Sequence, residues 1–295
     1  MNGPTHGPRN RALPLRGPER GPEWEGPWLS VVIAARNEAP RLPSLLADLG
    51  AGGPLREVVV VDGRSQDATA TVARLAGAVV CHGPACRGAQ LAAGVAASGG
   101  SWLLLLHADA RLPPGWRGLV EEARRGGRGE VWAFHLAIAG AGVGLRLVEV
   151  MVALRSRWRS LPYGDQGLLV SRRALEAAGG VAPLPLMEDL DLVLRLRRQG
   201  RIRLLPASLR VSDRRWRRLG VLATALANAR LRRAWRRGEA PERLAQRYYR
   251  DPGAPGSSGD SGGTGMGAVE SAAPAQGAYQ KAQRRCSGSS SQPCP

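Results

Sequence analysis

Residues 29–35 read LSVVIAA, residues 58–61 VVVV, residues 78–81 AVVC and residues 102–106 WLLLL. Short, unbroken apolar runs bounded by turn residues suit parallel strands buried on both faces. Between them lie Pro40–Leu49, Asp67–Ala76 and Arg87–Ala97, where apolar residues recur at helical spacing. Three strand–helix units in succession predict an α/β fold with a mostly parallel sheet flanked by helices. Further along, Val131–Ile138 and Gly167–Val170 read as strands, and Val143–Trp158 as an amphipathic helix. Glu188–Gln199 reads as a helix closed by Gly200. Leu219–Arg237 closes the pattern as a helical segment, with Leu222, Leu226, Ala229 and Trp235 available for an apolar face.

Outside this core the composition changes. Residues 1–27 are rich in Pro, Gly and Arg without periodicity, and predict a disordered leader. Residues 251–295 are poor in large apolar side chains and predict a disordered, low-complexity tail. The folded part is then 28–250, a length that fits one domain. The 295 residues carry a formal charge of +18, which points first to polyanions. Its distribution weakens that reading. Residues 1–194 hold 21 Arg against 18 acids, whereas residues 195–250 hold 18 Arg against only Asp213, Glu239 and Glu242. The single lysine, Lys281, shows a composition that writes almost every cation as Arg. The four cysteines, at 81, 86, 286 and 294, have no metal-binding spacing and read as reduced thiols, as in a cytoplasmic protein. The N-terminus has no apolar h-region, so no signal peptide is expected. The most apolar stretch, Ala133–Leu154, is interrupted by His135, Arg146 and Glu149 and does not read as a membrane span.

Ligands of an open parallel sheet bind beyond the carboxyl ends of its strands. Here those ends run into Arg36-Asn37-Glu38, Asp62-Gly63-Arg64-Ser65 and His107-Ala108-Asp109, so each delivers a carboxylate to one edge. Carboxylates beside arginines suit a divalent cation and a phosphorylated ligand.

Five stretches, SVVIAARNEA, VVVVDGRSQDAT, LLLLHADARLP, GDQGLLVSRRALEAAGG and LMEDLDLVLRL, resemble in order and spacing the motifs of glycosyltransferase family 2, over roughly residues 29–249. The resemblance is nearest to small bacterial members of the kind associated with arsenosugar biosynthesis. It implies a GT-A fold and transfer of a sugar from a nucleotide-sugar donor, a UDP- or GDP-sugar, to an acceptor the sequence does not identify. Ala35, Asn37, Glu38 and Asp62 would hold the nucleoside. Asp109 would bind a Mg²⁺ or Mn²⁺ that bridges the diphosphate, and His107 takes the place of the family's first DxD aspartate. Glu188-Asp189 matches the family's ED pair, Asp189 being the general base of an inverting transfer. Asp165 and Gln166 would line the acceptor or donor-sugar pocket, Arg87 would reach a phosphate, and Arg215 and Trp216 resemble the RW of a QxxRW motif whose Gln position is Ser212 here. Arg64 stands where the family usually has Gly.

The arginines of residues 214–237 admit three readings: a solvated helix face, an interfacial helix in peripheral contact with an anionic membrane through Trp216 and Trp235, or a nucleic-acid surface. The last is the weakest, because no nucleic-acid-binding motif accompanies the charge. Two functional alternatives stand beside soluble sugar transfer. One is a polyprenyl-phosphate sugar transferase at the membrane surface, the other a catalytically silent binding protein on the same fold.

Overall fold

The computed structural model describes residues 26–127 and 129–250; the expected leader and tail lie outside these residues, apart from Gly26 and Pro27. The first half alternates strictly: β1 Leu29–Ala35, α1 Leu42–Leu49, β2 Leu55–Asp62, α2 Thr69–Leu75, β3 Val79–His82, α3 Arg87–Ala97, β4 Trp102–His107 and α4 Trp116–Arg125. Then come β5 Val131–Ile138, α5 Val143–Arg159, a 3-10 turn at Gly164–Gln166, β6 Leu168–Ser171, α6 Arg172–Ala177, α7 Glu188–Gln199 and β7 Arg203–Val211. Three helices finish the described chain: α8 Arg214–Leu219, α9 Val221–Arg236 and α10 Pro241–Arg250.

The seven strands form one sheet in the order β3-β2-β1-β4-β6-β5-β7. Strands β1 to β4 are mutually parallel, and β6 runs antiparallel to both β4 and β5. The unbroken apolar runs follow from burial on both faces. Leu104 and Leu106 join Val31, Ile33, α1 and α4 on one side. Leu103 and Leu105 join Val32, α3 and α7 on the other. Successive side chains of a strand alternate in direction, so a strand covered on both sides has no polar position to spare.

Strand β7 and helices α4, α6 and α10 extend the architecture beyond the pattern read from sequence. β7 carries Pro206 mid-strand, which ordinarily argues against a strand. It pairs with β5 across a register shift in which Leu204 faces Ala133 and Ser208 faces His135, so Pro206 falls in the irregular stretch where no ladder donor is needed.

The helix expected over 219–237 is α9, set off from α8 by Gly220, whose φ is +79°. Its expected apolar face is turned. Leu222, Leu226 and Ala229 are exposed, while Thr224 and Leu231 are buried and Trp235 packs partly against the sheet-side core.

Candidate functional site

The carboxyl ends of the central strands are level with one another. Ala35 pairs with Asp62, and Ala34 with His107. Beyond this edge lies a cavity of about 330 Å³. Its floor is Ala34, Arg36 and Glu38 after β1, and His107, Ala108 and Asp109 after β4. One wall is Arg87 and Gln90 of α3 with Met187, Glu188 and Asp189 at the start of α7. Tyr163 and Asp165 before β6, Arg214 and Arg215 of α8, Asn228 and Arg232 of α9, and Tyr248 and Tyr249 of α10 complete the lining.

Two local devices place the acids of α7. Gly88 sits under the 182–186 segment so closely that a Cβ there would lie 2.4 Å from the Ala182 carbonyl oxygen and 2.6 Å from Leu184. Met187 then turns into α7 with φ +67°, a left-handed conformation that a side chain of this size adopts only when its surroundings impose it. Asp189 is held by the Gly164 N–H, which donates to Oδ2 at 2.8 Å, and by the Leu190 N–H, which donates to Oδ1 at 2.7 Å. Arg87 Nη1 stands 3.2 Å from Glu188 Oε1.

The electrostatics are those of a crowded, dry site. Burial, reinforced by Asp189 and opposed by Arg87, pushes the Glu188 carboxyl up to about 7. Burial likewise raises Asp165, against the pull of Arg155. Burial drives His107 well below its ordinary value, with Arg87 adding to the effect, so its ring is neutral at pH 7.

Eight buried side-chain polar atoms among the described residues make no hydrogen bond. Five belong to cavity residues: His107 Nε2, Asp165 Oδ1, Glu188 Oε1, and Nε and Nη2 of Arg215. Folded proteins satisfy nearly all buried polar groups, so such a cluster marks a place where a polar ligand completes the bonding. Glu188 Oε1 has an ion pair with Arg87; the other four atoms make no hydrogen bond to protein among the described residues. Among the described residues nothing pairs with the Asp109 carboxylate either, and no group of three or more His, Cys, Asp or Glu converges as a ready-made metal cage.

Of the expected site residues, Glu38, Arg87, Asp109, Asp165, Glu188, Asp189 and Arg215 meet around this cavity. Asp62 is buried at the neighbouring strand end. Its Oδ2 accepts from the Ser65 N–H at 3.3 Å, and its Oδ1 is unpaired. Ala35 lies beneath the floor, in the core. Asn37 has φ +54° and ties two turns together: its N–H donates to Ser65 Oγ and its Oδ1 accepts from the Gln66 N–H. Gln166 is fully buried, bonded through Oε1 to Ser156 and through Nε2 to the Phe134 carbonyl. Trp216 points away, into the cluster of Leu136, Ile138, Leu145 and Val152, because one step along α8 rotates it from the side carrying Arg215.

Tyr163, Asn228, Arg232, Tyr248 and Tyr249 reach the cavity without any motif to announce them. Arg155 stacks over the Tyr163 ring at 3.6 Å, and Arg215 over Tyr248 at 4.1 Å.

Comparison with known proteins agrees with the fold. Residues 30–173 match the model of glycosyl transferase family 2. No curated protein matches the sequence. Among solved structures, TarS 1-349 of S. aureus matches with a TM-score of 0.51 at 14% identity, over 64% of this chain and 61% of that one. Its complex with UDP matches with a TM-score of 0.52 at 17% identity, over 63% and 60% of the two chains. Glucosyl-3-phosphoglycerate synthase of Mycobacterium tuberculosis, in complex with Mn²⁺, UDP and glucosyl-3-phosphoglycerate, matches at 22% identity and a TM-score of 0.48, over 66% and 77%. The TarS likeness is one of fold, and the present chain spans about three fifths of TarS 1-349. The family match runs through the strands whose ends form the cavity floor, from β1 to β6: residues 30–173 are similar to glycosyl transferase family 2, and the sheet with its flanking helices has a GT-A-like fold shared with TarS.

Proposed function

We propose that the cavity binds a nucleoside-diphosphate sugar, with UDP- and GDP-sugars the donors to test first, and passes the sugar to an acceptor hydroxyl with inversion at the anomeric carbon. The observation that carries this reading is the cluster of unpaired buried polar atoms around one cavity at the sheet's carboxyl edge.

Asp189 takes the acceptor proton. It is a carboxylate fixed by two backbone N–H groups at the cavity wall, and a general base must be held within hydrogen-bond reach of the hydroxyl it deprotonates. The acceptor oxygen forms its bond to the anomeric carbon as the bond to the diphosphate oxygen breaks. Charge builds on the leaving diphosphate, and the free Nε and Nη2 donors of Arg215 meet it. Arg87 is engaged with Glu188 and holds that acid in place; Glu188 positions and Asp189 reacts. Asp165 Oδ1 and neutral His107 Nε2 offer acceptors for sugar hydroxyls. Asp62 and Glu38, beneath and beside the cavity, are assigned to the nucleoside.

The donor set fits a divalent ion. A lone, unpaired carboxylate at the cavity, Asp109, is what Mg²⁺ or Mn²⁺ uses when phosphate oxygens and water complete its shell. Bound there, the ion would neutralise charge developing on the diphosphate.

The test is a screen of UDP-, GDP- and dTDP-sugars with Mn²⁺ or Mg²⁺, read by slow donor hydrolysis without acceptor. At least one donor should be turned over by the wild-type chain and not by Asp189→Asn. Turnover of none, or equal turnover by the variant, contradicts the assignment. For any acceptor found, NMR of the new linkage reads the anomeric outcome, and retention would contradict inversion.

A further inference from the structure

Helix α5 is apolar on two opposite sides. Leu145, Val148 and Val152 pack inward against β5 and α8. Val143, Leu147, Val150, Met151 and Trp158 are exposed, Val143 at 87% and Trp158 at 76%. At 100° per residue these five positions fall within one outward stripe. Helix α9 lies alongside in the same direction: Gly144 meets Val221 at one end, and Trp158 and Arg236 line one groove at the other. Its exposed Leu222 and Leu226 continue the apolar surface.

The charge around this surface has one sign. The exposed charged side chains of α5, α8 and α9 are Arg, and their acids, Glu149 and the flanking Asp213, are tied to Arg146 and Arg217. At the far end of the two helices an open groove of about 900 Å³ is bordered by Arg159, Arg197, Arg198, Arg201 and Arg236, with no carboxylate among its lining. Helix C-termini account for part of this, since Arg197 and Arg201 bond carbonyls at the end of α5. Arg198 and Arg236 also stand in the last turns of α7 and α9, but helix ends do not account for the gathering of these arginines at one groove or for the apolar stripe beside it.

We propose that the outer face of α5 and α9 docks on an anionic phospholipid bilayer. Leu147, Met151, Leu222 and Trp158 enter the headgroup–acyl boundary, and the arginine-lined groove receives lipid phosphates. Apolar side chains flanked by Arg, with Trp at the level of the polar groups, are what an interfacial helix needs. A second copy of this chain would bring charge of the same sign to the face, whereas an anionic surface would offset it. The inner sides of the same elements reach the catalytic cavity: Asn228 and Arg232 of α9 line it, and Arg155 of α5 stacks on Tyr163. Docking would therefore hold the cavity wall beside the membrane surface.

The test is sedimentation of the full chain with phosphatidylcholine vesicles, with and without about one-third phosphatidylglycerol. It needs no donor or acceptor, so it succeeds or fails independently of the catalytic reading. The wild-type chain should bind the anionic vesicles and not the neutral ones. The variant Leu147→Ser/Met151→Ser/Leu222→Ser keeps every charge and should bind at least about tenfold more weakly with an unchanged melting temperature. Arg198→Gln/Arg236→Gln should weaken binding by a similar factor. No anionic binding, or binding that the triple serine variant leaves intact, overturns the proposal. So does a dimer in sedimentation velocity that the same triple variant dissociates.

Discussion

The cavity at the carboxyl edge of the sheet and the outer face of α5 and α9 spend their side chains in opposite ways. The cavity turns carboxylates and guanidiniums inward, leaves several without protein partners, and holds others in an environment that shifts their protonation. The outer face turns apolar side chains and arginines to water. Each departs from the ordinary rule of apolar inside and polar outside, and each departure has a chemical use. Unpaired buried polar atoms await a polar ligand. Exposed apolar surface beside one sign of charge awaits an apolar medium with the opposite charge. On the two readings proposed, catalysis and location would rest on different side chains of the chain.

That separation can be broken experimentally. The largest effect is expected from Asp189→Asn, which should lower donor turnover by about 10²–10⁴-fold while vesicle binding stays as it was. Arg215→Ala should cost about 10- to 100-fold in apparent donor affinity, because the guanidinium proposed to meet the diphosphate is lost. A drop in vesicle binding with either variant would join the two regions and refute the comparison. Gly88→Ala forces a Cβ against the backbone of Ala182 and Leu184. It should cost about 1–3 kcal/mol of stability by denaturant titration, and lower turnover by displacing the segment that positions Asp189.

Glu188 gives a pH signature. Its folded pKa is about 7 against an ordinary 4.5, so the folded chain keeps a proton that the unfolded chain releases. Stability should fall as pH rises from about 4.5 to about 7, and Glu188→Gln should flatten that slope in melts at several pH values. The smallest effect belongs to the other region: Leu147→Ser should change stability by no more than about 0.5 kcal/mol, because the side chain already faces water.

Sequence reading reached the strands of the first half because burial on both faces leaves no other pattern for β1, β2 and β4. Asp109 is legible as the carboxylate that follows β4, whereas Glu188 and Asp189 are legible only through the resemblance of LMEDLDL to the family's ED pair, since acids at a helix start are otherwise ordinary. Sequence reading did not reach β7, whose Pro206 signals against a strand until the irregular pairing with β5 is seen. Tyr248 and Tyr249 arrive from a helix with no motif, brought in by packing between elements far apart in sequence. For Trp216 and Leu222 the apolar character was plain, but its direction was not. Only the turn of α8 and the break at Gly220 decide that the tryptophan faces the core and the leucine faces water.

The central claim, that the cavity is built to receive a nucleoside diphosphate, is tested most directly by calorimetric titration of the full chain with UDP and with GDP, in the presence of Mn²⁺ or Mg²⁺. The account predicts saturable binding of at least one nucleotide to the wild-type chain, weakened about tenfold or more in both Asp109→Asn and Arg215→Ala. Absence of binding by either nucleotide, or binding that both substitutions leave unchanged, would contradict it.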